Sequence, residues 1–95
     1  MHSKTVLNKN LNGGKKTTLK YPISDSEFSD QFTEIFVGDH YKDGRVKDSV
    51  VVDIGANVGL TALYLQDYAK KYYAIEPEPR CFEALKENTK HIKDI

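Results

Sequence analysis

The chain has a single cysteine, Cys81, so no internal disulfide is available, and no second cysteine or histidine stands near it at metal-ligand spacing. Packing is the role this leaves for it. No apolar run approaches the roughly 20 residues needed to cross a bilayer. The start, MHSKTVLNKN, lacks the apolar centre of a secretory signal. Both absences point to a cytoplasmic protein without membrane contact. Net charge is also missing, because 14 basic residues balance 14 acidic ones. Locally it is acid that is lacking: residues 1–23 hold Lys4, Lys9, Lys15, Lys16 and Lys20 and no Asp or Glu. Such an arm is a candidate surface for nucleic acid or anionic lipid. Without arginine or a row of stacking aromatics it reads instead as a solvated face, which argues against nucleic acid.

What is present is ordinary for a globular chain: 39% hydrophobic, 11% aromatic and 29% charged residues in 95 positions. A chain of this length buries only about 60–65% of its unfolded surface, so its stability margin is thin. Residues 4–8 and 15–21 read as strands around Asn12-Gly13-Gly14, where positive backbone angles come easily, and so predict a hairpin. Ser24 followed by Glu27 has the spacing of a reciprocal helix cap, and Phe28, Phe32, Ile35 and Phe36 share one face of a helix over 25–37 that ends near Gly38. A polar loop over 39–47 follows. The run Val50-Val51-Val52-Asp53-Ile54 then predicts a parallel strand buried on both faces. A helix over 58–70, a strand over 72–76 and a last helix beginning at Pro79 complete a βαβ unit with one further helix, to which Phe82, Leu85 and Ile92 offer a core face.

The chemistry concentrates where the first of these strands turns into a helix, in Asp53-Ile54-Gly55-Ala56-Asn57-Val58-Gly59, with Glu76 placed 23 residues after Asp53 at the end of the next strand. Gly55 allows a sharp turn and close approach of a ligand, Gly59 allows tight packing of the helix on the strand, and the helix start offers amide donors. An acid at the position of Glu76 can accept from both hydroxyls of a ribose. Pro77 and Pro79 stiffen the turn that carries it. Each residue also has a plainer reading: the glycines as turn formers, Asn57 as a helix cap, Glu76 as a surface acid. Asp53 is harder to explain so, since a carboxylate inside a valine run is costly without a partner. Spacing separates the possible ligands. A dinucleotide loop runs G-x-G-x-x-G around a pyrophosphate, whereas this one runs G-x-N-x-G behind an acid, which favours S-adenosyl-L-methionine over NAD.

The stretches VVDIGANVGLTALYL and YYAIEPEPRCFEALKENTK resemble the first two motifs of the FkbM family of methyltransferases, over roughly residues 34–90. The resemblance implies an α/β fold: a partial, Rossmann-like class I methyltransferase sheet of two parallel strands with flanking helices, preceded by the hairpin and the helix. The expected organisation is an N-terminal β-hairpin at 1–23 and the first part of a methyltransferase domain at 24–95, ending before a third strand. The resemblance further implies S-adenosyl-L-methionine as cofactor, with Asp53, Gly55, Asn57 and Gly59 at its methionine end, Glu76 on its ribose, and the segment from Glu34 to Tyr41 closing over it. Methyl transfer to a hydroxyl oxygen of a sugar, lipid, peptide or small molecule follows from the same likeness, with no catalytic base assigned. Two alternatives stay open: a non-catalytic remnant that binds the cofactor or a partner, such as a second chain completing the sheet, and a nucleotide-binding domain of the NAD type.

Overall fold

The computed structural model describes residues 1–38 and 47–92. It is a mixed α/β arrangement with an antiparallel hairpin and a separate two-stranded parallel sheet. Strands β1 (His2–Val6) and β2 (Thr17–Tyr21) pair with His2 opposite Tyr21 and Val6 opposite Thr17. The reversal between them places Asn12, Gly13 and Gly14 at positive φ, as the turn chemistry predicts. Asn12 has a second duty, because its side-chain carbonyl accepts from Gln66 at 2.8 Å and lies 3.0 Å from the His91 ring nitrogen.

Helix α1 (Asp25–Phe32) starts at Ser24, whose hydroxyl accepts from the Glu27 amide at 3.2 Å. The cap is not the reciprocal box that the spacing suggests: the Ser24 hydroxyl itself donates to the Glu27 carboxylate at 3.1 Å. Ser24→Ala is expected to cost about 1 kcal/mol, read as a lower urea midpoint. Beyond Phe32 the helix continues as one wider π-type turn over Thr33–Val37 and closes at Gly38. Its aromatic face forms a ladder, with Tyr21 stacked on Phe28, Phe28 near Phe32, Phe32 on Phe36, and Phe36 edge-on to Tyr64. The ladder carries the hairpin into the same core as the rest of the chain, where Leu11, Leu19, Val58, Leu63 and Tyr72 also meet.

Strands β3 (Val50–Ile54) and β4 (Lys71–Ile75) are parallel, with Val52 opposite Tyr73 and Ile54 opposite Ile75. The expectation that β3 is buried on both faces is not met. Val51, Tyr72 and Ala74 pack on the core, whereas Val50, Val52 and Ile54 are 59%, 58% and 81% exposed. Helix α2 (Leu60–Leu65) is shorter than its periodic pattern. Asn57 and Gly59 hold positive φ, so helical geometry begins only at Leu60, and the amides of Tyr68 and Ala69 close the far end onto the Leu65 carbonyl.

Helix α3 (Pro79–Thr89) begins with Pro79 in its first turn as expected, where a missing amide costs nothing, and Glu78 caps it. It buries Cys81, Ala84 and Leu85, while Phe82 stays 39% exposed with the Lys86 ammonium over its ring. Asn88 is the link from α3 to the hairpin. It is buried, its carbonyl accepts from the Lys20 amide, and its NH2 donates to the carbonyls of Lys20 and Val58. A side-chain amide thus stands in for a neighbouring strand at the outer edge of β2.

Candidate functional site

The loop from Asp53 to Gly59 leaves the carboxyl end of β3 and is held by the end of β4. The amides of Gly55 and Ala56 both donate to the Ile75 carbonyl, at 2.8 and 3.0 Å. The Asn57 amide donates to one oxygen of Glu76 at 2.8 Å, and the Glu78 amide donates to the other at 3.0 Å. The Gly59 amide donates to the Ala56 carbonyl. The amides of Gly55, Ala56, Asn57 and Gly59 are therefore spent inside the protein. A pyrophosphate needs such amides to cradle it, and this loop offers it none at Gly55, Ala56, Asn57 or Gly59.

Asp53 has the partner that its position demands. It lies on the core-facing side of β3, diagonally across from Tyr72, whose hydroxyl donates to it at 2.5 Å. Charge-assisted hydrogen bonds of this kind are the short, strong ones. One carboxylate oxygen engages Tyr72, and the group keeps lone pairs for a further donor. Asn57 sits in the left-handed region with φ of 53°, and its side-chain carbonyl is buried without a hydrogen-bond partner. It does not cap α2, whose first turn has no side-chain cap. A buried acceptor left unmatched costs on the order of 1–3 kcal/mol unless something donates to it.

Asp53, Gly55 and Asn57 line one cleft of about 230 Å³, together with Ala56, Leu60 and Thr61 from the loop and α2. Its opposite wall is the end of α1 and the π-type turn, through Gln31, Glu34 and Ile35. Glu34 and Ile35 are thus where the expected covering segment begins, and Tyr41 lies outside the described residues. Gln31 was not singled out in the sequence, because it joins the site only through the packing of the π-type turn beside α2. Among its described lining residues the cleft has two carboxylates, from Glu34 and Asp53, and no lysine or arginine.

Gly59 serves a different purpose from the one its spacing suggests. A Cβ there would come within 2.8 Å of the Leu85 side chain and 3.1 Å of the Thr89 methyl, so the glycine fits α2 against α3 rather than against a strand. Glu76 stands beside the cleft as the fastener between the loop and the Pro77–Pro79 turn. Glu78, unnoticed in the sequence, accepts from the Cys81 amide at 2.6 Å, and that hydrogen bond holds its carboxyl below the usual range. Burial, reinforced by the Glu78 carboxylate, pushes the Cys81 thiol up to about 11, which keeps it protonated and unreactive at neutral pH. Among the described residues no cluster of His, Cys, Asp and Glu could hold a metal ion, and no helix is long and apolar enough to cross a membrane.

Fold and site together define a mixed α/β protein whose strand-to-helix loop, at the end of a parallel pair, frames a small acidic cleft. Comparison of the chain with protein-family models, with curated proteins and with solved structures gives no match.

Proposed function

We propose that the cleft binds the cationic end of S-adenosyl-L-methionine, and that the chain is the cofactor-binding part of an FkbM-type methyltransferase acting on a hydroxyl oxygen. The observation that carries this reading is the chemistry of the cleft: two carboxylates, a buried unmatched acceptor on Asn57, and no cation among the described lining residues. Such a lining suits a ligand that brings positive charge and N–H donors, and it repels a pyrophosphate. The spent amides of the loop weigh against the NAD reading in the same direction.

Asp53 and Glu34 would face the ammonium of the amino-acid tail, and the Asn57 carbonyl would accept one of its N–H groups. Glu76 already accepts two backbone amides, but an ionised carboxylate has about four acceptor positions and retains room for ribose hydroxyls. When bound, the cofactor supplies an electrophilic methyl group on a positively charged sulfur. The residues of this chain then act by holding and orienting it, which accounts for much of the rate in a transfer governed by alignment. A cleft of about 230 Å³ is smaller than the roughly 300–1,000 Å³ of a typical ligand pocket, in keeping with enclosure of one end of the molecule.

Calorimetric titration of the folded chain is expected to give heat with adenosylmethionine and none with NAD. Asp53→Ala should weaken adenosylmethionine binding at least tenfold, about 1.4 kcal/mol, with circular dichroism confirming that the variant is folded. A folded wild-type chain that takes up no adenosylmethionine would sink the proposal, and so would preferential uptake of NAD.

A further inference from the structure

Two adjacent tyrosines on β4 face opposite ways. Tyr73 is 52% exposed on the outward side of the sheet, whereas Tyr72 is 2% exposed and belongs to the hydrophobic core. Tyr72 stands opposite Val51, and its ring reaches diagonally across the strand pair, so that its hydroxyl donates to Asp53 Oδ2 at 2.5 Å. Packing alone asks only for an apolar side chain at this position, and a buried phenol brings an O–H that has to find an acceptor. A neutral acceptor satisfies such a group at less cost than a carboxylate drawn into a strand. The carboxylate that Tyr72 meets is half-buried and lines the cleft.

We propose that Tyr72 is a positioning residue for that cleft: its hydroxyl holds one oxygen of Asp53, so that the carboxylate meets the ammonium of the ligand's amino-acid tail in a single orientation. The inference rests on the adenosylmethionine reading above and adds to it the group that sets selectivity for the tail. An aspartate has three staggered χ1 wells, and without a fixed donor its carboxylate spreads over those that the strand allows. A donor carried by a ring in the close-packed core cannot follow the carboxylate, so it selects one well. Releasing the carboxylate dilutes the binding-competent population by up to about threefold, and a ligand binds a fractionally populated state more weakly by that same fraction. The terminal torsion of aspartate is broad as well, and the hydrogen bond fixes it too, so the expected loss of affinity is about three- to tenfold.

The test is Tyr72→Phe, which keeps the ring in the core, titrated by NMR with three probes. These are S-adenosyl-L-methionine, S-adenosyl-L-homocysteine, which keeps the tail on an uncharged sulfur, and 5′-methylthioadenosine, an uncharged thioether without the tail. Tyr72→Phe is expected to weaken the first two about three- to tenfold and the third by less than about twofold, whereas a purely structural role weakens all three alike. In an Asp53→Ala background the same substitution should change no affinity by more than about twofold, because no carboxylate is left to hold. In the wild type, independently of how the variants fold, the Tyr72 ring-carbon signal should shift with S-adenosyl-L-homocysteine and stay in place with 5′-methylthioadenosine. Equal loss with all three probes, no loss with S-adenosyl-L-homocysteine, or a Tyr72→Phe effect that persists without Asp53 overturns the proposal and leaves the adenosylmethionine reading standing. A folded wild type that binds none of the three probes overturns that reading, and the proposal with it.

Discussion

Gly59→Ala is expected to lower the stability of the chain by about 2–5 kcal/mol, the combined effect of a backbone conformation and a contact. At φ of 92° an L-residue carries a penalty of roughly 1–2 kcal/mol. The added methyl would then meet the Leu85 side chain at 2.8 Å and the Thr89 methyl at 3.1 Å. Neither neighbour gives way easily. Leu85 is buried, and Thr89 is held by the hydrogen bond from its hydroxyl to the Leu85 carbonyl. Overpacking of this kind adds roughly 1–3 kcal/mol. In a domain this small each kcal/mol moves the melting temperature by about 4–8 °C, so thermal and urea melts will register it. Gly55→Ala is the control. Gly55 also has positive φ, 81°, but a Cβ there meets nothing within 4 Å, so only the backbone penalty should appear. Equal losses at the two glycines would mean that the α2–α3 approach contributes nothing.

Asn88→Leu is expected to cost about 2–4 kcal/mol although the side chain keeps nearly the same volume. Three hydrogen bonds vanish at once, two of them to Lys20 on the outer edge of β2 and one to the Val58 carbonyl. The Val58 carbonyl bond lies in buried surroundings, and an unmatched acceptor there carries most of the cost. The loss should be visible residue by residue. Hydrogen exchange at the Lys20 amide is expected to speed up well beyond that of Leu63, whose amide donates to the Gly59 carbonyl inside the α2 turn. Unchanged stability together with unchanged Lys20 exchange would show that the clamp is idle.

Much of the local structure could be read from residue order, because local structure answers to local chemistry. Asn12-Gly13-Gly14 requires a left-handed turn, Ser24 requires a helix start, and Pro79 suits a first helical turn; all three are found where expected. The parallel pairing of β3 with β4 follows from two β-rich runs separated by a helix. Asp53 announced that it needed a partner, and one exists. The identity of that partner was out of reach, since Tyr72 arrives through strand register, and register depends on the whole sheet.

The expectations that failed did so for reasons of distance along the chain. A β-branched run states that a strand forms, but it does not state what lies above and below it, and the outward face of β3 proved open. A glycine states that something comes near, and only the packing showed that Leu85 and Thr89 are what comes near Gly59. Asn88 looked like any polar residue on a helix until its three partners were seen to come from 30 and 68 positions away. Sequence by itself determined the order of elements, the turn and cap positions, and the loop from Asp53 to Gly59, because propensity, capping and backbone freedom act over a few residues. Tertiary structure alone decided that the amides of Gly55, Ala56, Asn57 and Gly59 are consumed, that Gln31 joins Asp53 and Asn57 at the cleft, and that one sheet face is left exposed. Those outcomes depend on which surfaces meet when separate elements pack, and no local spacing encodes that.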